Sequence, residues 1–430
     1  MSTQRQPELV RAMGRWSLVA LVLNSIIGSG IFGLPSVIAG LLGGAAPFAY
    51  LGAAVGIGVV MACFAEVASR FREAGGPYLY ARVTFGRFAG IEVAWLTWLA
   101  RLTAAAGNAN LFVIYLAEFW PQAKERVPRI IILTLLLGLL AVVNYYGVSA
   151  GARLSNTFAA AKLVPLITFL SIGLLFVRAG HFTVHSSATP GTWMDAVLVL
   201  MFAFGGFEGA LIPMSEAHNP RRDAPFALFA ALAMTTLVYT LVQVVVTGVL
   251  SAPQLTDRPL AEAARHFAGS PGAWFISLGA LVSVYGNLSS MTLYTPRLTF
   301  ALAEQNDFPR FFAAVHPRFR TPYVSILTYA LLVWALAVGG TFRWNVTLSA
   351  VARLFTYGFT CAALLALRRR GGPEDYLRLP AGALLGVLGL AFSLALALRM
   401  GRTEFLIIVV TVVIAVLNWL WARKSPQKAG

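Results

Sequence analysis

Asn24-Ser25-Ile26-Ile27-Gly28-Ser29-Gly30-Ile31-Phe32 interrupts the first apolar segment of the chain, and Phe202-Ala203-Phe204-Gly205-Gly206-Phe207-Glu208-Gly209-Ala210 interrupts the sixth. Glycine carries no Cβ, so each cluster lets the backbone leave helical dihedrals at little steric cost. In lipid every backbone N–H and C=O needs a partner, and unwound backbone at membrane depth is tolerated only where it faces protein, water or a bound solute. Two interrupted helices in corresponding halves of a chain point to a secondary transporter whose solute sits at the breaks. Taken singly, each glycine cluster is also explained by close helix packing.

Composition requires the membrane. Of 430 residues, 58% are hydrophobic and 12% charged, with a mean hydropathy of +0.74, which excludes an ordinary soluble domain. About twelve apolar runs are long enough to cross the roughly 30 Å hydrocarbon core, the first near 17–40, the sixth near 193–216 and the eighth near 272–303. The first run is too long for a signal-peptide core and lacks a cleavage site, so it is expected to be retained. Connections are short and leave no room for an enzymatic or nucleic-acid module. The net charge of +16 follows the loops: with an even number of spans, Lys and Arg concentrate on the side of both termini, which places those termini in the cytoplasm and the chain in the cell inner membrane. Arg368-Arg369-Arg370 and Arg423-Lys424 read as positive-inside anchors. Cys63 and Cys361 fall within apolar runs and give no grounds for a disulfide. The five histidines lack the spacing of a metal site, so neither a metal nor another cofactor is expected.

Several residues carry candidate chemistry. The half-helix beginning near Gly30 presents N–H groups and a partial positive charge suited to a carboxylate, with Ile27, Gly28, Ser29 and Gly30 forming that side of the site. Unwound carbonyls around Gly205 and Gly206 suit an ammonium group, with the flanking phenylalanines as a roof over the solute. Carboxylate on one side and amine on the other make a receptor for the α-amino acid backbone. Lys162 lies within the fifth apolar run with no acidic residue within four positions. Its ammonium is expected to replace a bound cation and to offer a site for proton exchange; the competing reading is a lysine that snorkels to the nearby surface. Arg101 and Arg353 are further charges inside apolar runs, with Glu66 and Glu208 as available counter-charges and their pairing left open. Trp95 and Trp98 read as packing residues rather than a substrate platform.

Together these motifs resemble the amino acid-polyamine-organocation (APC) superfamily of transporters over nearly the whole chain. Gly28-Ser29-Gly30-Ile31-Phe32 is similar to the family's first-helix signature, and Ala65-Glu66-Val67-Ala68 with Glu73-Ala74-Gly75-Gly76-Pro77-Tyr78-Leu79-Tyr80 to its second-helix end and first loop. Ser215-Glu216-Ala217-His218-Asn219-Pro220 looks like the exit of the sixth helix. Thr295-Pro296-Arg297, Phe308-Pro309 and His316-Pro317-Arg318-Phe319-Arg320-Thr321-Pro322 look like the connection between the eighth and ninth. The resemblance implies an all-α polytopic protein of LeuT type, with twelve transmembrane helices and helices 1 and 6 broken. A cytoplasmic segment (1–16) would precede a transport core (17–367) built from inverted repeats of five helices (17–178 and 193–367), followed by peripheral helices 11 and 12 (380–422) and a cytoplasmic tail (423–430). By the same resemblance the first-helix Gly28-Ser29-Gly30 takes the substrate carboxylate, the backbone of Phe202, Ala203, Phe204 and Gly205 takes the amine, and Phe202, with Glu208, is expected to gate the site. Residues 202–207 are especially similar to the L-type branch, which also carries a fifth-helix lysine matching Lys162. That branch joins a glycoprotein through a cysteine after the third helix. Residues 118–128 contain none, so no disulfide-linked subunit is expected.

The implied function is sodium-independent transport of amino acids by alternating access, as exchange or proton symport, with neutral L-amino acids favoured. A cationic amino acid or polyamine is the alternative, since Glu208 offers a carboxylate to such a side chain. A channel would need filter-like repeats, and an intramembrane enzyme a nucleophile, a metal or paired carboxylates; neither pattern stands out, and no catalytic residue is assigned. Expected partners are the substrate, membrane lipids and, for symport, protons, with no nucleic acid.

Overall fold

The computed structural model describes residues 14–71, 75–147, 152–182, 188–211, 220–371 and 376–423. Among the described residues, fifteen α-helices carry the fold. The first apolar run forms α1 (Arg15–Ile26) and α2 (Gly30–Leu42), bent by 55° across the Ile27–Ser29 break. Next come α3 (Ala46–Ser69), a short α4 (Gly76–Phe85), α5 (Arg87–Leu116), α6 (Arg126–Tyr145) and α7 (Ala152–Gly173). The sixth run forms α8 (Pro190–Phe204) and α9 (Phe207–Ala210), separated by Gly205 and Gly206. After these lie α10 (Pro220–Val249), α11 (Pro259–Glu304), α12 (Tyr323–Gly339), α13 (Phe342–Arg370), α14 (Gly382–Ala397) and α15 (Arg402–Ala422).

By length and composition, 8 described helices can cross a membrane, or up to 9 when the bent pair counts as one span; three shorter apolar helices, at Leu163–Phe176, Tyr323–Gly339 and Gly382–Ala397, stand at further positions along the chain. Local chemistry sets several helix ends. Thr189 caps α8 by accepting the Thr192 N–H at 3.3 Å, and Thr341 caps α13 by accepting that of Trp344 at 3.2 Å. At the other end of α13, Arg368, Arg369 and Arg370 occupy the last turn, where cations complement the helix dipole, and Gly371 turns out of the helix at φ +74°. Two features depart from the apolar pattern. α4 lies between the second and third runs, and helical backbone begins at Pro259 rather than near 272, with Gly269 (φ +65°) marking the kink where the long apolar part of α11 starts.

The bundle is fastened at both ends. At the end where α1 begins, the buried carboxylate of Asp307 accepts from Arg87 (2.7 Å) and Tyr78 and pairs with Arg82 (3.0 Å), while Asn418 of α15 donates to the Asp307 carbonyl at 2.7 Å. Nearby, Glu66 of α3 takes two bonds from Arg368 (2.7 and 2.5 Å) and one from the Leu379 N–H (3.1 Å). At the opposite end Glu118 pairs with Arg258 (3.5 Å) and Arg265, and Asp195 with Arg399 (2.8 Å).

Candidate functional site

The two breaks lie against each other at the centre of the core. A Cβ placed on Gly30 would sit 3.0 Å from the Cα of Ala203, and one on Gly206 would sit 2.4 Å from the carbonyl oxygen of Ser25. The approach at Gly206 admits only glycine, and a side chain at Gly30 would require Ala203 to give way by a few tenths of an ångström. Gly206 has a second reason to be glycine, because its φ of +108° is disfavoured for any residue with a Cβ. Gly205 is extended (φ −73°, ψ 164°), so the chain turns out of α8 and re-enters a helix at Phe207.

Tyr239 of α10 ties the breaks together. Its buried hydroxyl lies 3.1 Å from the Ile26 carbonyl and 3.2 Å from that of Ala203, the groups left over where α1 and α8 end. One helical turn further along α10, Gln243 donates to the Pro35 carbonyl of α2 at 3.2 Å and to Thr247 at 3.0 Å. Tyr239, Gln243 and Thr247 thus stand at i, i+4 and i+8 on a span that also carries Thr235, Thr236 and Thr240, and that spacing is the sequence signal by which this element is recognisable.

The charges left open by the sequence find definite partners. Arg353 of α13 donates to Glu208 at 2.8 Å, and the second carboxylate oxygen accepts the Gly206 N–H at 2.9 Å and the Tyr357 hydroxyl at 3.3 Å. The guanidinium occupies the space beside Gly205, 2.0 Å from where a Cβ would stand. Glu208 is therefore held by an internal cation and by the backbone it helps to unwind. Glu66 is committed to Arg368, and Arg101 lies over the ring of Tyr294 at 4.8 Å.

The residues expected at the solute are brought together. Ile27, Ser29 and Gly30 are buried, and a Cβ on Gly28 would meet the Asn287 amide of α11 at 2.6 Å. The Ser29 hydroxyl is buried without a hydrogen-bond partner among the described residues. Phe202 is 8% exposed, with a ring carbon 3.6 Å from the Cβ position of Gly30. The Phe202 carbonyl accepts the Gly205 N–H at 3.3 Å, and the Ala203 carbonyl accepts Tyr239. Each keeps a second lone pair, since a carbonyl oxygen accepts two bonds. Phe204 packs on Tyr239 (5.5 Å between centroids), and Phe207 packs between Phe64 (5.2 Å) and Tyr357 (5.6 Å), so both belong to the core. Trp95 stacks on Phe308 at 4.6 Å, as a packing residue does. Lys162 lies in the helical backbone of α7, but its side chain falls outside the described residues, as do residues 215–219. Among the described residues no cluster of three or more metal-ligating side chains occurs.

Comparison with known proteins identifies the family. The family model described as amino acid permease matches residues 13–422. An uncharacterized transporter of Mycobacterium tuberculosis is 31% identical over 404 residues, covering 91% of this chain and 88% of that protein. An arginine/ornithine antiporter of Latilactobacillus sakei is 26% identical over 456 residues, covering 98% and 92%. A methylthioribose transporter of Bacillus subtilis is 26% identical over 392 residues, covering 85% and 83%.

Proposed function

The chain belongs to the amino acid permease family of the APC superfamily, and from that premise we propose that it carries neutral L-amino acids across the cytoplasmic membrane by alternating access, independently of sodium. Its family and relatives are transporters, not enzymes. In this reading the chain crosses the membrane twelve times with both termini cytoplasmic, the repeats span 17–178 and 193–367, and 380–422 is peripheral. The described spans and the three shorter apolar helices support that count, as does the pairing of charges within each end of the bundle.

The observation that carries the substrate class is the engagement of Glu208. A cationic side chain or polyamine needs a free carboxylate in the site, and the carboxylate at the second break is taken by Arg353, the Gly206 N–H and Tyr357. What remains is backbone: N–H groups at the start of α2 for an α-carboxylate, and carbonyl lone pairs at Phe202 and Ala203 for an α-ammonium. The named relatives act on arginine and ornithine in one case and on methylthioribose, a thiosugar without an α-amino acid backbone, in the other, so the solute carried varies among these relatives. Closure brings Phe202 over the solute, and Lys162 stands in for the cation, through exchange or proton symport.

Uptake into proteoliposomes tests the proposal. Neutral L-amino acids are expected to compete with one another, α-carboxyl esters and analogues lacking the α-amine to fail, and choline in place of sodium to leave uptake intact. A strict sodium requirement, or polyamines competing as well as neutral amino acids, would overturn it. Lys162→Ala is expected to lose turnover while retaining folded yield; an unchanged rate and pH profile would assign Lys162 to the membrane surface instead.

A further inference from the structure

Cys63 of α3 and Cys361 of α13 are the two cysteines of the chain, both fully buried and both free. The fold brings them to one point although nothing in the sequence pairs them. A Cβ built on Gly389 of α14 would lie 2.6 Å from the Cys361 sulfur and 3.5 Å from that of Cys63, so both thiols converge on this glycine. Gly389 supplies the room, since any side chain there would displace the sulfurs. Two thiols that converge on one glycine are placed for a disulfide to close once side-chain rotation brings the sulfurs to bonding distance, about 2 Å. No third ligating side chain joins them in a metal-binding group among the described residues.

We propose that Cys63 and Cys361 form a reversible dithiol–disulfide site, oxidised from within the bilayer by a lipid-soluble two-electron oxidant of the quinone or diazene class. Two S–H bonds break and one S–S bond forms, while two electrons and two protons pass to the oxidant, giving a hydroquinone or a hydrazine. A dithiol reductant reverses the step through a mixed disulfide. A lipid-soluble oxidant fits because both sulfurs are buried among apolar helices. The bond would join the second apolar span to the tenth, and α13 is the helix whose Arg353 closes on the second break. Oxidation therefore restrains the motion that opens the breaks and slows turnover; that consequence rests on the transport reading, whereas the bond does not.

The test treats membranes containing the full chain with diamide, then denatures them in the presence of a maleimide and measures intact mass. The expected product is an unlabelled chain lighter by two hydrogens, with both thiols recovered after dithiothreitol, while Cys63→Ser and Cys361→Ser each keep one reactive thiol. Retention of both thiols by the treated wild type, loss of the single thiol in either variant, or loss only through linked pairs of chains would overturn the site. Thermal unfolding should shift upward in the oxidised wild type alone, and uptake of labelled leucine should fall several-fold and return with dithiothreitol. A disulfide that leaves both readings unchanged would refute the restraint. Absent leucine uptake in the reduced protein would count against the neutral-substrate reading, with mass and unfolding still judging the thiol site.

Discussion

Arg353 and Glu208 occupy apolar helices, where an ionisable group persists only with a partner, and their 2.8 Å contact supplies it. Removing one member of such a pair leaves an uncompensated buried charge, a loss of about 3–5 kcal/mol. Arg353→Met and Glu208→Gln should each lower thermal stability in detergent, and the double variant should lose less than the sum. Unfolding of the four proteins as a double-mutant cycle checks this; additive losses would mean the charges do not act as a pair. Phe202 carries a different prediction. If its ring closes over the solute, Phe202→Ala lowers turnover more than affinity; if it only packs, truncation costs roughly 3–5 kcal/mol of stability without selective loss of transport. Affinity, rate and unfolding measured on one purified variant separate the two. Both charges were legible in the sequence, since an ionisable residue stands out in an apolar run. Their pairing was not, because Glu66 was an equal candidate until the fold delivered Arg368 to it with two bonds.

At the scale of elements, the glycines of the second break differ in what they must do. Gly206 combines a φ of +108° with the Ser25 carbonyl at 2.4 Å from a Cβ position, whereas a Cβ on Gly209 meets nothing within 4 Å. A non-glycine residue in such a conformation costs on the order of 1–3 kcal/mol before any clash is counted. Gly206→Ala should therefore lower folded yield and melting temperature, while Gly209→Ala, in the helical stretch of α9, should be neutral or stabilising by up to roughly 1 kcal/mol. Equal effects at both positions would contradict the contact between the breaks. The breaks themselves were readable because two glycines flank Ser29 and two stand together at 205–206, and α2 begins at Gly30 where expected. The short α4 was not, because its ten residues fall in a polar connection where hydropathy is silent. The start of α11 was missed for the same reason. Tyr239 was visible in the sequence only as one member of the i, i+4, i+8 polar series, and nothing local says that its hydroxyl reaches two other helices.

Over the whole molecule, charges pair within each end of the bundle: Asp307 and Glu66 with arginines at the end where α1 begins, Glu118 and Asp195 with arginines at the other. The twelve crossings proposed above would place every one of these partners on a common side, as membrane-separated charges require. At the first end, burial and then the Asp307 carboxylate push the Tyr78 phenol upward, so it stays a donor and the clasp between α4 and the loop after α11 holds as pH rises. The same scheme predicts which connections face outward. Gln122 lies in the exposed connection before α6 and Arg318 in the exposed connection before α12, which an even number of spans with cytoplasmic termini puts on opposite sides. In a chain whose Cys63 and Cys361 are replaced by serine, Gln122→Cys should react with an impermeant maleimide added to intact cells. Arg318→Cys should react only after the membrane is permeabilised. Reversed labelling would invert the orientation, and with it the meaning of the positive charge around Arg368 to Arg370. Labelling of both from outside would mean an even number of crossings between them, in place of the five that the inverted-repeat arrangement requires. The two positions must be read together, because one accessible cysteine reports only its own loop, whereas the pair reports whether the chain between them crosses the membrane an odd number of times.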